Sequence, residues 1–306
     1  MIIIIKGDSS KMFGFRPDGK KVKNVAPVFK IIPSIMLDRN DSQVFFKQDI
    51  PLKNMEAYIS QKAEEGIKLS YMTIIYSAIV RIIAERPQLN WFAMNGTLYE
   101  RDKVYVSLAI KKSLSDEGEE TNIKLPFTGK ETIFDIKETL DAVISENKKT
   151  ETENDTDKFV NFVNLIPNFL VRWIVKLLGF LDKYGLLPRK LIDISPFHTS
   201  AYVTNVGSLG IDTIYHHLYN FGTTSMFFAM GKKKKSYVYE DDEIQKEKCI
   251  TIAFVGDERI CDGYYYANSF KQLLRYLKKP ALLEVSPDEK EKKEEDKEIK
   301  KEEVTV

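Results

Sequence analysis

The chain is short of cysteine, histidine and net charge, and each shortage removes a class of function. Its 306 residues include 2 Cys and 3 His, too few for a disulfide framework or a four-ligand zinc site of the usual kind, so no metal is expected. A reducing cytoplasm is the expected compartment. Lys plus Arg number 46 against 45 Asp plus Glu, a net charge of +1, whereas a dedicated nucleic-acid binder carries a basic excess. The apolar run at residues 1–5 is brief and lacks a small-residue cleavage pattern, so no secretory signal is read. What is present is 43% apolar content with 18 Phe and 15 Tyr, enough for the core of one large domain or two small ones.

The charge is unevenly spread. Residues 284–306 hold ten acids and six lysines; without them 40 basic and 35 acidic residues remain, so the body carries +5 and the tail −4. That segment reads as a solvated tail. Residues 1–25 are polar, rich in Gly and Lys, with a turn at Arg16-Pro17-Asp18-Gly19, and read as an arm. The body, residues 26–283, opens with a predicted strand at 44–50 closed by Pro51 and a helix from Leu52 to about Gly66. Ser70 caps a second helix, in which Met72, Ile75, Ile79, Ile82 and Ile83 recur at helical spacing until Pro87. Residues 91–94 and 104–110 read as strands joined by the turn dipeptide Asn95-Gly96. A helix at 132–146, strands at 201–204, 225–230 and 249–255, and a last helix at 264–277 complete the series. Strands interspersed with helices predict an α/β fold, one sheet with helices packed on a face.

Within an apolar insertion at about 157–187, Asn161, Asn164, Asn168, Arg172 and Lys176 recur every three or four positions, so two helical segments about Pro167 share a narrow polar stripe. A bilayer would strand those groups. A pair of core or subunit-contact helices is expected over 159–181, with a lid on an apolar tunnel or a membrane-surface helix as alternatives.

Asp257-Glu258-Arg259-Ile260-Cys261-Asp262-Gly263, between a strand and the last helix, resembles the Asp-His-Arg-x-x-Asp-Gly signature of the chloramphenicol acetyltransferase-like superfamily. That superfamily includes the catalytic domain of dihydrolipoamide acyltransferases. Glu258 stands where the family has histidine. Pro87-Gln88-Leu89-Asn90 is similar to the family's Pro-x-Leu-Asn. Tyr202-Val203-Thr204-Asn205-Val206-Gly207 is similar to its Phe-Thr-Ile-Ser-Asn-Leu-Gly segment, and Phe228-Ala229-Met230-Gly231 to its Ala-Ile-Leu-x-x-Gly strand end. The ending Lys279-Pro280-Ala281-Leu282-Leu283 resembles Pro-x-x-Leu-Leu. The resemblance runs over about residues 25–283.

It implies an α/β two-layer sandwich of a mixed sheet with helices on one face, a homotrimer with active sites at subunit boundaries, a coenzyme A thioester as co-substrate and a small-molecule acyl acceptor bearing a hydroxyl or amine. With no lipoyl or peripheral binding domain ahead of the body, a free-standing enzyme is expected. Acyl transfer needs a base for the acceptor's proton and a donor to the tetrahedral oxyanion. The resemblance assigns the donor to Thr204, with Asn205 beside it, and gives Asp262, Arg259 and Gly263 the architecture of the turn, glycine permitting entry to the helix. Carboxylates ordinarily titrate about two pH units below imidazole, so Glu258 is either a weaker base or a position released from catalysis. In the second case the protein is an inactive trimeric binding module. His216 and His217 are alternative bases; His198 lies about 20 Å from Thr204 along an extended strand. Cys261 reads as a small buried residue. Lys232 to Lys235 read as a solvated turn or an attraction for the phosphates of coenzyme A.

Overall fold

Strand alternation sorts the sheet residues onto two unlike faces. The computed structural model describes residues 16–111, 120–147, 166–240 and 242–289. A small antiparallel sheet joins β1 (Gly19–Lys21), β3 (Trp91–Met94) and β4 (Thr97–Arg101) in the order β1-β4-β3. The main sheet takes β2 (Gln43–Pro51), β5 (Val104–Lys111), β6 (Glu120–Phe127), β7 (Ala201–Asn205), β8 (Met226–Glu240) and β9 (Glu243–Asp257) in the order β2-β9-β8-β7-β5-β6. It is mixed: β5, β7 and β8 run parallel, and the other pairs are antiparallel. The helices are α1 (Pro27–Ile35), α2 (Lys53–Glu64), α3 (Tyr71–Glu85), α4 (Ile133–Asn147), α5 (Asn168–Lys183), α6 (Arg189–Ile194) and α7 (Gly263–Lys278).

One face of the sheet carries Val106, Leu108, Val203, Phe228, Ile252 and Phe254, packed with Ile75 and Ile79 of α3 and Phe270 and Leu273 of α7 in a continuous apolar core. Each such side chain contributes about 1.5–3 kcal/mol by leaving water. Helix α3 begins where expected, the Thr73 N–H donating to Ser70 Oγ at 3.0 Å. The opposite face has only a small cluster, Tyr202, Phe227 and Val255 with Leu218. Loops cover it together with α5 and α6, whose Leu178 and Leu191 stand with Asn122 of β6 around one cavity. The expected α/β fold, a mixed sheet with its main helical layer packed on one face, is the observed one.

Three local expectations need correction. Asn95-Gly96 does not lead to residues 104–110: it closes the β3–β4 hairpin, with Met94 opposite Thr97 and both turn residues at positive φ, 49° and 70°. Val104–Lys111 belongs to the main sheet. The Lys232 to Lys235 run is not a turn but lies inside the long β8 strand, where Lys233 pairs with Ile250 and Lys235 with Lys248. Its lysines are engaged locally: Lys233 Nζ sits 4.0 Å over the Tyr71 ring, and Lys234 Nζ lies 2.9 Å from Asp212 Oδ2. The arm is not wholly peripheral either, since Arg16 and Asp18 are buried and ion-paired at 2.9 Å. The turn read at Arg16-Pro17-Asp18-Gly19 is present, bridged from Arg16 to Gly19.

In the apolar segment, only the helix after Pro167 falls among the described residues; the segment expected before it lies outside them, as do residues 290–306 of the tail. Helix α5 is not a core helix. Val171, Ile174, Leu178 and Leu181 turn partly inward, while Leu170, Trp173, Leu177 and Phe180 form an exposed apolar stripe, Trp173 being 70% exposed. Among the described residues no helix is long and apolar enough to cross a membrane.

Candidate active site

The signature turn is built on a buried ion cluster. Asp257, at the end of β9, has no exposed surface, and Arg259 grips its carboxylate with two hydrogen bonds, Nε to Oδ1 at 2.8 Å and Nη2 to Oδ2 at 2.7 Å. Such bidentate charged pairs fix geometry as well as energy. Arg39 adds a second guanidinium, with Nε 3.7 Å from Asp257 Oδ2, while Nη2 donates to the Ala93 carbonyl at 3.0 Å. The cluster locks the turn to the small sheet. Glu258 projects from this fixed base, half-buried, its N–H donating to the Ser42 carbonyl at 2.8 Å. Arg259, the next residue, helps to wall a cleft of about 370 Å³ together with Leu37, Arg39, Met94 and Asn220; Glu258 is not part of that wall.

Asp262 is an exposed helix cap: Oδ1 accepts the Tyr265 N–H at 2.7 Å, fixing the start of α7. Gly263 does not have the role expected of it, since its φ is not positive and a Cβ there would meet nothing within 4 Å. Any residue would fit within this chain. Cys261 is buried, and burial pushes its thiol well above the ordinary value, which suits packing and not nucleophilic attack.

Thr204 and Asn205 end β7, both half-buried. Alternation places Thr204 on the loop-covered face, two residues from Tyr202. The turn after it is held by a close approach of two glycines, because a Cβ on Gly207 would lie 2.3 Å from the Gly231 carbonyl oxygen. Register then separates the two halves of the site. Thr204 pairs with Ala229 and Ala229 with Ala253, whereas Glu258 lies five residues past Ala253. Five residue steps along the strands and two strand spacings across put the two Cα atoms about 19 Å apart. Within one chain they cannot act on one substrate.

The histidines divide. His216 stacks on Phe227 at 4.1 Å between ring centroids, and Phe227 pairs with Tyr202; it therefore shares the face and neighbourhood of Thr204. His217 is exposed and stacks on His216. His198 is wholly buried, with Nδ1 2.8 Å from Ser195 Oγ and Nε2 3.1 Å from Asp182 Oδ2. Sequence reasoning missed the Ser195 and Asp182 partners; the one acid of α5, among its apolar and basic residues, was the available signal. It also missed Lys124, whose ammonium is pushed down to about 7 by burial and then by Arg101. Lys124 Nζ donates to the Ile192 carbonyl at 2.7 Å. Among the described residues no group of three or more His, Cys, Asp or Glu is placed to hold a metal.

Residues 198–285 match the family model for the 2-oxoacid dehydrogenases acyltransferase (catalytic domain). No curated protein matches the chain. Solved structures share the fold. A probable dihydrolipoamide acetyltransferase from Listeria monocytogenes is 16% identical, covers 85% of this chain and 95% of its own, and superposes with a TM-score of 0.55. The dihydrolipoamide acetyltransferase of Azotobacter vinelandii, in whose catalytic mechanism a serine, a histidine and an asparagine have been investigated, is 13% identical over 92% of this chain and 99% of its own, with a TM-score of 0.56. A chloramphenicol acetyltransferase is 11% identical over 85% and 99%, with a TM-score of 0.50. The resemblance read from the motifs thus holds for the fold over most of the chain and for the sequence over residues 198–285.

Proposed function

We propose that this chain, with the fold of the dihydrolipoamide acyltransferase catalytic domain, is a coenzyme A thioester-dependent acyltransferase whose sites form between copies. Glu258 of one copy faces Thr204 of the next, in a trimeric ring. One observation carries the reading: the signature turn and Thr204 stand at opposite ends of the sheet, about 19 Å apart by register, so each is half of a site that a neighbouring copy completes. Ring closure by a head-to-tail contact joins such unlike surfaces. In that site Glu258 takes the proton of a hydroxyl or amine acceptor, and the Thr204 hydroxyl donates to the oxyanion formed on the thioester carbonyl.

Subunit mixing tests this. Glu258→Ala and Thr204→Ala should each lose thioester cleavage, followed by thiol release from acetyl coenzyme A. Mixed trimers of the two should recover about a quarter of native activity, since one boundary in four receives both intact residues. If the mixture stays inactive while Glu258→His gains activity, the protein is an inactive relative with an intact pocket. A second reading rests on the His216 ring over Phe227, on the face of Thr204: there the base belongs to the same chain, His216→Ala abolishes turnover and Glu258→Ala does not.

A further inference from the structure

A second set of polar groups lies on the loop-covered side and has no part in the reaction above. The buried His198 ring bridges a hydroxyl and a carboxylate, Ser195 Oγ at 2.8 Å from Nδ1 and Asp182 Oδ2 at 3.1 Å from Nε2. Asp182 is anchored in turn by Arg16, whose Nη2 lies 2.9 Å from Oδ1 and whose Nη1 donates to the Asp182 carbonyl at 2.7 Å. Arg16 also pairs with Asp18, so one guanidinium holds both carboxylates in place. Burial pushes the Asp182 carboxyl upward, but the His198 and Arg16 contacts outweigh it and keep the acid ionised. Burial lowers the imidazole against the pull of Asp182, which makes the neutral ring the resting form. With Nε2–H donated to the carboxylate, Nδ1 presents its lone pair to the Ser195 hydroxyl. Hydroxyl, imidazole and carboxylate are then connected as in serine hydrolases, with the two ring nitrogens exchanged.

The second observation is the cavity that Ser195 helps to line. Ser195 is half-buried, and with His198 it lines a cavity of about 190 Å³ walled by Leu178, Leu187, Leu191 and Phe221. Besides Ser195 and His198, Asn122 is the polar residue of that wall; its oxygen accepts the Tyr202 hydroxyl, which leaves its NH2 group to donate. A nucleophile with an oriented base, an amide donor and an apolar chamber sized for a short chain meet at one place.

We propose that Ser195, His198 and Asp182 form a second acyl-handling centre, in which Ser195 takes the acyl group of a short-chain ester or thioester seated in the cavity. Ser195 Oγ bonds to the carbonyl carbon while its proton passes to His198 Nδ1, and the Asn122 amide faces the oxyanion. The bond to the leaving alcohol or thiol breaks as His198 returns the proton to it. Water then attacks the acyl-serine, giving one proton to Nδ1 and its oxygen to the acyl carbon; Ser195 recovers the proton and the carboxylic acid departs. Ester and water become acid and alcohol, with no other reactant. Asp182 is a positioning residue that stabilises the imidazolium. The centre lies within one chain and does not depend on the trimer.

The test uses the full-length protein with p-nitrophenyl butyrate and, separately, a fluorophosphonate probe read by intact mass and peptide mapping. The native protein should hydrolyse the ester and carry one adduct, on the peptide containing Ser195. Ser195→Ala should lose the adduct and at least about 100-fold in rate at an unchanged melting temperature, while Ser145→Ala on exposed α4 keeps both. The rate should rise with pH and level off below the ordinary imidazole range. The charged groups facing the ring are Asp182, Asp18 and Lys124. Absence of an adduct on the folded native protein, or hydrolysis that persists in Ser195→Ala, overturns the proposal. Either result leaves subunit complementation between Glu258 and Thr204 to stand or fall by itself.

Discussion

The two faces of the six-stranded sheet come from the same strands and behave as different materials. Toward the helices stand Val106, Val203, Phe228, Ile252 and Phe254, a hydrocarbon layer closed by α3 and α7. Toward the loops stand Ser107, Tyr202, Thr204, Asn122, Lys124 and Thr251, each alternating with a core residue. Their polar groups are answered by loop carbonyls and neighbouring side chains: Ser107 Oγ donates to the Pro196 carbonyl at 3.0 Å, the Thr251 hydroxyl to Asp49, and Tyr202 to Asn122. A helix offers a sheet mostly side-chain hydrocarbon, because its backbone groups are paired internally; a loop offers free carbonyls and amides. Polar groups accumulate on the face where loops share the cover with the short α6 and the end of α5.

Substitutions on the two faces should therefore differ in kind. The largest stability loss is expected on the helix side, where Phe254→Ala leaves a cavity costing about 3–5 kcal/mol; urea unfolding should show it, and a loss below that of any loop-side change would break the contrast. Asp257→Ala at the sheet's end should cost a similar amount, about 3–5 kcal/mol, because Arg259 and Arg39 are left buried without their acid. On the loop side Tyr202→Phe should cost only about 0.5–1.5 kcal/mol, one hydrogen bond. Thr204→Ala should change stability by about 0.5 kcal/mol or less, yet lower thioester turnover about 100- to 1,000-fold under the proposed mechanism.

A pH series sharpens the same contrast. The folded His198 binds its proton at lower pH than an unfolded histidine does. Between the ordinary value, about 6.5, and the folded one, the unfolded chain holds more protons, so stability should fall as pH drops through that window and be complete above it. Melting temperatures from pH 8 to pH 4 would show the decline, and His198→Gln should flatten it. A native profile that is level below pH 6.5 would mean that burial does not hold the ring neutral.

Much of the fold was legible because the relevant signals are local. Ser70 at a cap, the apolar spacing of Ile75, Ile79 and Ile82, and the short apolar runs at residues 201–204 and 249–255 specify elements through nearest neighbours. The expectations that failed concern pairing. Asn95-Gly96 announces a hairpin, but the return strand Thr97–Arg101 carries Glu100 and Arg101 and does not read as apolar; the lysine run looks like a turn until β9 pairs with it. At the site, the motif marked the positions of Glu258, Thr204 and Asp262, but not that Asp262 caps α7. The Arg259–Asp257–Arg39 cluster and the Ser195–His198–Asp182 relay did not, since their partners are separated by loops and helices that only packing brings together.

The sequence by itself determined most element types, through propensity and periodicity over a few residues, and the place of the signature turn, through its motif. The tertiary structure alone decided that Glu258 and Thr204 sit at opposite ends of that sheet and that an acid in α5 meets a histidine sixteen residues on. The physical reason is range: alternation and capping act between neighbours along the chain, whereas burial pairs whichever charged groups the packed layers leave facing one another.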